Sequence, residues 1–330
     1  MKIIAEAGVN HNGSLDVAMK MVDAAKAAGA DYIKFQTFKT ESLVTSSCEA
    51  ADYQKENAGA SDQASMLRKL ELSYQDFRKL QEYCEQKGIG FLSTPFDLES
   101  IDFLASLKPD YMKVPSGEIT NLPYLRRIAA TGIPVIMSTG MSSLEDIRAA
   151  LKPFKEAGYK SDDIILLHCT TQYPAPMEEV NLRAMRTLKE LFGYEAGYSD
   201  HTRGIEVAVA AAALGASVIE KHFTLDRNME GPDHKASLEP GELQELVSAV
   251  RNVEKALGSG EKQITESELQ NMGIARRSIV AARPIKKGEK ISEEDICAKR
   301  PGTGISPMEW DKVVGSVASR DFNTDDLIVL

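Results

Sequence analysis

The sequence lacks an excess of positive charge, since its 330 residues carry a formal net charge of -10 at pH 7. A chain of this charge offers no basic surface to nucleic acid or to an anionic membrane, so we expect neither as a partner. It contains no apolar run that approaches the roughly 20 residues of a membrane-spanning helix. The first residues, MKIIAEAGVNHNG, lack the charged and apolar regions of a signal peptide. Together these absences predict a cytoplasmic protein.

Cysteine is scarce, and its spacing does not match that of a metal site or a redox motif. Cys48, Cys84, Cys169 and Cys297 show no CxxC spacing, so neither a thiolate zinc site nor a disulfide framework is indicated. No GxGxxG motif follows the first predicted strand, which weakens the doubly wound open sheet as a fold. What remains is an ordinary composition, with 43% hydrophobic and 27% charged residues, which is typical of a globular protein.

The first three quarters of the chain alternate between short β-rich runs and amphipathic helical stretches, many of which end in glycine. The β-rich runs read KIIAEAGV, DYIKFQT, GFLSTPF, DYMKVPS, PVIMSTG, DIILLHCT, EAGYSDH and SVIEKHF. Eight β/α units predict a closed (β/α)8 TIM barrel over residues 1–260, with the doubly wound sheet as its rival.

Two segments depart from this alternation. About 35 residues from Lys39 to Ser73 include the polar stretch TSSCEAADYQKENAGASDQ, and connections this long are typical of functional loops. We expect a substrate-facing loop there, with a decorative insertion as the alternative. Past the barrel, residues 261–276 are predicted to be a linker, and residues 277–330 form a small β-rich domain. That domain is too short to own a large core, so it is expected to dock on another surface.

Polar residues occur at the end of every predicted strand, where a buried strand should stay apolar. In a TIM barrel the carboxyl ends of the strands carry the catalytic side chains, and positions two apart on one strand face the same way. These strand-end residues are Glu6, Lys34, Gln36, Ser93, Thr94, Lys113, Ser116, Ser138, Thr139, His168, Thr170, Ser199, His201, Glu220 and His222.

The residue types at these strand ends predict an anion pocket. Two lysines supply cationic donors and the hydroxyl residues supply neutral ones, which suits a phosphate or a carboxylate. The lysines are Lys34 and Lys113, and the hydroxyls are those of Ser93, Thr94, Ser116, Ser138 and Ser199. Two carboxylates at the same edge, Glu6 and Glu220, are candidates for acid/base or hydroxyl-orienting work.

Two histidines end the adjacent seventh and eighth strands. Because neighbouring strands lie about 4.8 Å apart, His201 and His222 can reach one divalent ion. A pair of hydrogen-bonded histidines without metal is the alternative. A site with two protein ligands leaves positions open for substrate and water, which suits Mn²⁺ or Mg²⁺ better than Zn²⁺.

Other polar residues near the strand ends are assigned structural roles. Lys221 and Asp200 have the opposite parity to the site residues, so both are expected to face away from the lumen. His11 is expected to hold its turn and His168 to be packed or hydrogen-bonded. Cys169 is expected to be a small buried hydrophobe.

Several stretches of the chain together resemble the sialic acid synthase family. They are AEAGVNHNGS, KFQTF, STPFD, KVPSGE, MSTGM, HCTTQYPAP, YSDHT, EKHFT and GPDHKASLEP. The C-terminal stretches IVAARPIKKGEKISEEDI and KRPGTGI resemble the antifreeze-like (SAF) domain of that family. The resemblance covers nearly the whole chain.

The resemblance implies an enzyme that condenses phosphoenolpyruvate with N-acetylmannosamine, or a related acylamino-hexose, to give a nonulosonic acid and phosphate. Alternatives are a legionaminic acid synthase that uses 2,4-diacetamido-2,4,6-trideoxymannose and a sialic acid 9-phosphate or KDN-type synthase that uses a mannose 6-phosphate. The family implies a divalent metal, with Mn²⁺ expected and Mg²⁺ or Co²⁺ as alternatives. It also implies a homodimer in which the SAF domain lies over the partner's active site.

The resemblance also assigns roles to individual residues. The metal would be bound by His201 and His222, and phosphoenolpyruvate would be held by Lys34, Thr94, Lys113, Ser116, Ser138 and Ser199. The sugar would be contacted by Gln36 and Tyr173, while its hydroxyls and the metal shell would be ordered by Glu6, Glu220 and Asp233. Arg300 would reach the acyl substituent of a sugar in the other subunit. Members that use N-acetylmannosamine often carry Asn where this chain has Thr171, which puts the sugar's exact substituents in question.

Three other functions compete with this assignment. The first is a different phosphoenolpyruvate-condensing barrel that acts on a sugar phosphate, although the long loop offers only Lys55 to bind that phosphate. The second is a Schiff-base aldolase that uses Lys34 or Lys113. The third, for the C-terminal domain alone, is a module that binds carbohydrate or ice-like surfaces.

Overall fold

The computed structural model describes residues 1–44 and 63–330. The chain divides into two compact units, Met1–Gly258 and Ser259–Leu330. Most of the predicted substrate-facing loop, including Cys48 and Lys55, lies outside the described residues. Among those that are described, no helix has both the length and the apolar character needed to cross a membrane.

The first unit contains eight parallel strands. They are β1 Lys2–Gly8, β2 Tyr32–Thr37, β3 Gly90–Pro95, β4 Met112–Val114, β5 Val135–Ser138, β6 Ile164–His168, β7 Glu195–Asp200 and β8 Val218–His222. Hydrogen bonds join them in the order β3-β2-β1-β8-β7-β6-β5-β4, and β3 also packs beside β4. The Tyr124 hydroxyl connects these two strands. It donates a hydrogen bond to the Pro95 carbonyl of β3 at 2.7 Å and lies 3.5 Å from the Lys113 carbonyl of β4. The predicted closed barrel is confirmed and the open doubly wound sheet is wrong.

Ten described helices belong to this unit. They are α1 Leu15–Ala28, α2 Thr40–Leu43, α3 Gln63–Leu70, α4 Tyr74–Lys87, α5 Leu98–Ser106, α6 Leu122–Ala129, α7 Leu144–Glu156, α8 Ala184–Phe192, α9 Glu206–Ala213 and α10 Pro240–Leu257. Local sequence sets their ends. Ser73 and Ser143 each open a capping box, in which side chain and backbone satisfy each other's hydrogen bonds. Gly29 and Gly88 close α1 and α4 in the left-handed conformation, as the glycine pattern predicted.

The lumen of the barrel is apolar below and polar above. A cluster of buried apolar residues, Ile4, Leu92, Ile136, Ile165, Leu167 and Val218, fills its lower part. Two positions further along four of these strands stand Glu6, Thr94, Ser138 and Glu220. Because alternate residues of a strand share a face, each of these polar side chains is stacked above an apolar one. The predicted polar edge is therefore the upper layer of the lumen.

The second unit is small and has its own apolar core. It contains α11 Glu266–Ala275, β9 Ser278–Ala281, β10 Ile296–Lys299 and α12 Trp310–Val313. The strands β9 and β10 pair antiparallel, over a core that includes Ile279, Ile291 and Phe322. Helix α11 falls inside the range 261–276 that the sequence predicts to be a linker. A capping box between Thr265 and Glu268 starts this helix.

Candidate active site

Four buried charged residues meet in the upper layer of the lumen. The Lys34 Nζ atom lies 2.6 Å from Glu6 Oε2 and 3.7 Å from Glu220 Oε2. The Lys113 Nζ atom lies 3.9 Å from Glu220 Oε1. All four side chains are at least 93% buried. Bare charge at such depth is costly, so mutual pairing is what allows these residues to be there.

Three hydroxyl groups complete this charged cluster. Lys34 donates a hydrogen bond to Thr94 Oγ1 at 3.0 Å, and Lys113 donates to Ser138 Oγ at 2.7 Å. Ser199 donates to Glu220 Oε1 at 3.0 Å. The cluster thus joins residues from β1, β2, β3, β4, β5, β7 and β8, as the sequence predicted.

The pKa values of the two carboxylates of the cluster are shifted in opposite directions. Burial raises the pKa of Glu6 to about 7, against the lowering effect of Lys34. Burial would also raise the pKa of Glu220, but Lys113 and Lys34 lower it to about 2. For Lys34, Glu220 and Glu6 outweigh burial and raise the pKa, whereas burial lowers the pKa of Lys113. Near neutral pH, Glu220 is ionised while Glu6 can gain or lose a proton.

The ends of β7 and β8 bring two imidazoles together. The ring centroids of His201 and His222 lie 5.5 Å apart, with 57° between the planes. His201 Nδ1 lies 2.7 Å from the Thr170 carbonyl, so it carries the proton and leaves Nε2 with a lone pair. Burial lowers the pKa of His201. Burial, reinforced by His201, lowers the pKa of His222 well below its usual value.

This histidine pair fits a divalent cation with an incomplete set of protein ligands. The Nδ1 atom of His222 is buried and has no hydrogen-bond partner within the described chain, which is costly for a polar atom unless a ligand satisfies it. In the same part of the chain, no group of three or more His, Cys, Asp or Glu side chains is arranged to hold a metal. Two neutral imidazoles with open positions suit an ion that also binds substrate oxygens and water.

A cavity of about 570 Å³ opens beside the histidines and has two different walls. Its polar wall consists of Gln36, Glu118, Tyr173, His222 and Asp233. Its apolar wall consists of Val9, Phe38, Leu43, Val44, Met66, Leu67, Leu70 and Phe96, which form one apolar cluster. Gln63 and Pro232 complete the lining. We call this space the acceptor cavity, because it lies next to the charged cluster and contains residues that the resemblance assigns to the acceptor sugar.

Gly8 lies under the polar wall, where three side chains converge. A Cβ atom at Gly8 would stand 3.2 Å from Glu6 Oε1, 3.3 Å from Gln36 Nε2 and 3.7 Å from Asp233 Oδ2. Gln36 also donates to Glu6 at 3.3 Å. Burial raises the pKa of Asp233 to about 6, with Lys34 opposing the shift. The predicted sugar-binding residues Gln36 and Asp233 are thus brought to Glu6.

Some strand-end hydroxyls lie apart from the cluster. Ser93 pairs with Thr37 at 2.7 Å, and the Thr139 hydroxyl donates to the Leu167 carbonyl. They follow or precede the cluster residues by one position and therefore face the other side of the sheet. The prediction of Ser93 as an anion donor is wrong for this reason.

Ser116 stands next to the cluster. Its hydroxyl accepts a hydrogen bond from the Gly140 N–H at 3.0 Å and lies 3.3 Å from the Cys169 sulfur. Lys113 and Glu220 both act electrostatically on that sulfur. Burial raises the pKa of the Cys169 thiol, so it stays protonated at neutral pH, in line with the prediction of a buried hydrophobe.

A second cavity of about 710 Å³ lies between the ends of β5 and β6. His168, Cys169, Thr171 and Arg183 are among its lining residues. Thr171, at which the chain departs from the family pattern, therefore borders this second cavity, whereas Tyr173 borders the acceptor cavity. The lining of the second cavity contains neither lysine of the charged cluster.

The predicted structural residues have the expected partners. Lys221 forms a fully buried ion pair with Asp200 at 2.7 Å and donates to the Thr202 carbonyl, on the side of β8 away from the lumen. His11 accepts a hydrogen bond from the Gly13 N–H, so it holds its turn. His168 lies 2.7 Å from the Val180 carbonyl. These predictions are confirmed.

The contact predicted for Arg300 is not tested by this structure, and one residue of the acceptor cavity, Glu118, is absent from the sequence prediction. Arg300 belongs to the second unit, where its Nε donates to the Ala275 carbonyl, and its contact with a sugar stays a prediction. Glu118 was missed, although it lines the acceptor cavity. It sits on the 3-10 turn Ser116–Glu118 that follows β4, two residues past a predicted ligand in the quoted motif KVPSGE, and that motif was the available signal.

Comparison with known proteins agrees with this geometry. The model of the NeuB family matches residues 21–262, and the model of the SAF domain matches residues 276–330. The chain belongs to the NeuB family. The resemblance to sialic acid synthases with a C-terminal SAF domain is therefore confirmed.

Relatives of this NeuB-family chain cover it almost completely. It is 51% identical to the N,N'-diacetyllegionaminic acid synthase of Campylobacter jejuni over 99% of this chain and 98% of that protein. It is 50% identical to the protein of the same name from Legionella pneumophila, over 97% and 91%. The crystal structure of an N-acetylneuraminic acid synthetase from Leptospira borgpetersenii in complex with citrate aligns with a TM-score of 0.71 and 36% identity, over 82% and 89%. The chain is thus an enzyme of a family that includes named synthases of nonulosonic acids.

Proposed function

We propose that this enzyme condenses phosphoenolpyruvate with 2,4-diacetamido-2,4,6-trideoxymannose and water, giving N,N'-diacetyllegionaminic acid and phosphate. One observation carries the proposal: a buried cluster of two lysines and hydroxyl donors opens directly beside an acceptor cavity whose described lining has no cationic side chain. The first feature suits an enol phosphate and the second suits an uncharged sugar.

The charge of the cluster supports phosphoenolpyruvate as the first substrate. Lys34 and Lys113 bring two positive charges, and of the two carboxylates only Glu220 is held firmly ionised. The cluster therefore carries positive charge that an anion can neutralise. Thr94 and Ser138 already accept hydrogen bonds from the lysines, so they are placed to reorganise around phosphate or carboxylate oxygens.

The lining of the acceptor cavity supports an acceptor without phosphate. Among its described residues there is no Lys or Arg, and Glu118 and Asp233 contribute acidic groups. A sugar phosphate would meet carboxylates there without a Lys or Arg side chain to pair with, which is unfavourable. N-acetylmannosamine, the acceptor first implied by the resemblance, is uncharged too, but the two relatives named above favour the diacetamido sugar.

The proposed reaction balances without an added oxidant or reductant. C3 of phosphoenolpyruvate attacks the aldehyde carbon, a C–C bond forms, and the aldehyde oxygen takes the electron pair and a proton. C2 is left with oxocarbenium character, to which water adds with loss of a proton. The C–O bond between C2 and the bridging oxygen then breaks while the C2 hydroxyl gives up its proton, so C2 becomes a ketone and phosphate leaves with the bridging oxygen and takes up a proton.

The residues of the cluster divide this work. Lys34 and Lys113 neutralise the ester while it is held near the aldehyde carbon. Glu6, whose pKa is about 7, can give a proton to the new hydroxyl oxygen and take one from water. Glu220, whose pKa is about 2, stays ionised and orients both lysines and Ser199. Two carboxylates with acidities driven apart are typical of such divided roles.

His201 and His222 are the residues that would hold the divalent cation. When bound, the cation supplies Lewis-acid polarisation of the aldehyde oxygen. Mn²⁺ is the proposed ion, with Mg²⁺ and Co²⁺ as alternatives, because imidazole accepts several first-row metals.

A homodimer belongs to the same proposal, with the SAF domain of one subunit over the acceptor cavity of its partner. Exposed apolar residues of the second unit support it, since Leu269, Ile274 and Met308 are 53%, 71% and 92% exposed in the single chain. Isolated exposed apolar residues are common, but a concentration of them in a small domain favours a partner surface. A monomer in sedimentation at assay concentrations would contradict this part.

Phosphate release tests the function directly. The enzyme is supplied with phosphoenolpyruvate, Mn²⁺ and, in separate reactions, the diacetamido sugar, N-acetylmannosamine and N-acetylmannosamine 6-phosphate. We expect the highest kcat/KM with the diacetamido sugar and loss of activity on chelation. Preference for the phosphorylated sugar would overturn the proposal in favour of the sugar-phosphate rival. Activity that survives chelation, together with trapping of pyruvate on Lys34 or Lys113 by borohydride, would favour the Schiff-base rival.

A further inference from the structure

The apolar wall of the acceptor cavity is built by residues that directly follow strands β1, β2 and β3 and by helices α2 and α3. Helix α2 contributes Leu43 with Val44 just beyond it, and helix α3 contributes Met66 and Leu67. They pack with Phe38, which follows β2, in one apolar cluster. Met66 and Leu67 are 4% and 8% exposed. The carboxylates of Glu118 and Asp233 line the same cavity but do not belong to this apolar cluster.

Such a division matches a sugar that is itself two-sided. The proposed acceptor has no hydroxyl at C6, where it ends in a methyl group, and C4, two carbons away, carries an acetamido group that ends in a second methyl. N-acetylmannosamine instead has hydroxyls at both C4 and C6. A hydroxyl placed against hydrocarbon loses its hydrogen bonds to water, whereas a methyl group gains by leaving water.

We propose that the apolar wall binds the C6 methyl and the C4 acetamido methyl of the acceptor and thereby selects deoxy diacetamido sugars over sugars with hydroxyls at these carbons. This inference rests on the proposed function and names the part of the cavity that determines the acceptor. The hydroxyls and the aldehyde of the sugar then face the polar wall, where Gln36 and Asp233 meet Glu6.

The size of the selection follows from the chemistry of the wall. A hydrophobic pocket rejects an analogue that merely adds a hydroxyl by only about 100-fold. We therefore expect the wild-type enzyme to prefer the diacetamido sugar by about that factor in kcat/KM. Making the wall polar should reduce this ratio without changing the lysine cluster that binds phosphoenolpyruvate.

The test compares two wall variants with one matched control. Leu67→Gln places an amide in the most exposed of the buried wall positions, and Leu43→Gln does so at a half-buried position where a polar group disturbs folding less. Leu107→Gln is the control, because Leu107 is also 8% exposed but belongs to the main core cluster and not to the cavity lining. For each variant, kcat/KM is measured with the diacetamido sugar and with N-acetylmannosamine at saturating phosphoenolpyruvate and Mn²⁺.

The inference predicts that the ratio of the two kcat/KM values falls about tenfold or more in both wall variants. The control should keep the wild-type ratio even where its melting temperature falls. An unchanged ratio in Leu43→Gln, with activity retained, overturns the inference and leaves the proposed function standing. A wild-type enzyme that prefers N-acetylmannosamine instead overturns both. If Leu67→Gln does not fold, Leu43→Gln decides the question alone.

Discussion

Replacing Gly8 by alanine perturbs the junction of the charged cluster and the acceptor cavity with a single carbon atom. Gly8 has φ +52, in the left-handed region, which costs a residue with a side chain about 1–2 kcal/mol. The new Cβ would also lie 3.2 Å from Glu6 Oε1 and 3.3 Å from Gln36 Nε2, closer than ordinary contact. These side chains must therefore move by a few tenths of an ångström.

That movement should weaken catalysis by a measurable factor. Since a misplacement of about 1 Å can cost about 100-fold in rate, a smaller shift at two substrate-facing groups should cost about tenfold in kcat/KM for the acceptor. Phosphate release at varied sugar concentration measures it, and thermal unfolding measures the strain. We expect KM for phosphoenolpyruvate to change much less, because Lys113 and Ser138 are not displaced.

Gly132→Ala provides the matched control. Gly132 has φ +68, but no atom lies within 4 Å of the Cβ that alanine would add, among the described residues. Both variants should lose similar stability, and only Gly8→Ala should lose acceptor kcat/KM. Equal kinetics in the two variants would refute the assignment of Glu6, Gln36 and Asp233 to one acceptor-binding group.

Two further variants test charges that the fold removes partly, at Asp233, or fully, at Lys221, from water. Asp233→Asn should raise the melting temperature at pH 7.5 and raise the acceptor KM. Folding raises the pKa of the Asp233 carboxyl from 3.8 to about 6, so the free energy of unfolding of the wild-type protein falls as the pH climbs through that range. Equal melting temperatures at pH 7.5 would contradict the burial of its charge. Lys221→Met should cost about 3–5 kcal/mol, because it leaves Asp200 charged and buried without its partner. In chemical denaturation, Lys152→Met in the exposed pair with Glu156 should change nothing measurable, and a similar small effect at Lys221 would contradict the prediction.

The alternation of strand residues explains why much of the site can be predicted from sequence. Glu6 stands two positions after Ile4, and Glu220 two after Val218, so the pleat alone places both carboxylates above the apolar layer of the lumen. The same parity places Lys221 outside. It also excludes Ser93 from the lumen, against the sequence prediction, because only one of two adjacent hydroxyl residues can face that way.

Other features depend on distances that the sequence does not encode locally. Glu6 and Glu220 are both strand-end glutamates, yet their pKa values differ because burial dominates at Glu6, whereas Lys113 and Lys34 outweigh burial at Glu220. The apolar wall joins Phe38 to Leu67 across a long connection, and nothing in either segment signals that they meet. Such features require the folded arrangement.

A crystal structure of the wild-type enzyme with phosphoenolpyruvate and Mn²⁺ tests the central claim most directly. The account predicts an anomalous manganese peak bonded to both imidazoles, His201 and His222, with oxygens of the ester within hydrogen-bond distance of Lys34 and Lys113. An ester bound in the second cavity, beside Arg183 and away from both lysines, would contradict it, as would a metal ion that leaves either imidazole uncoordinated.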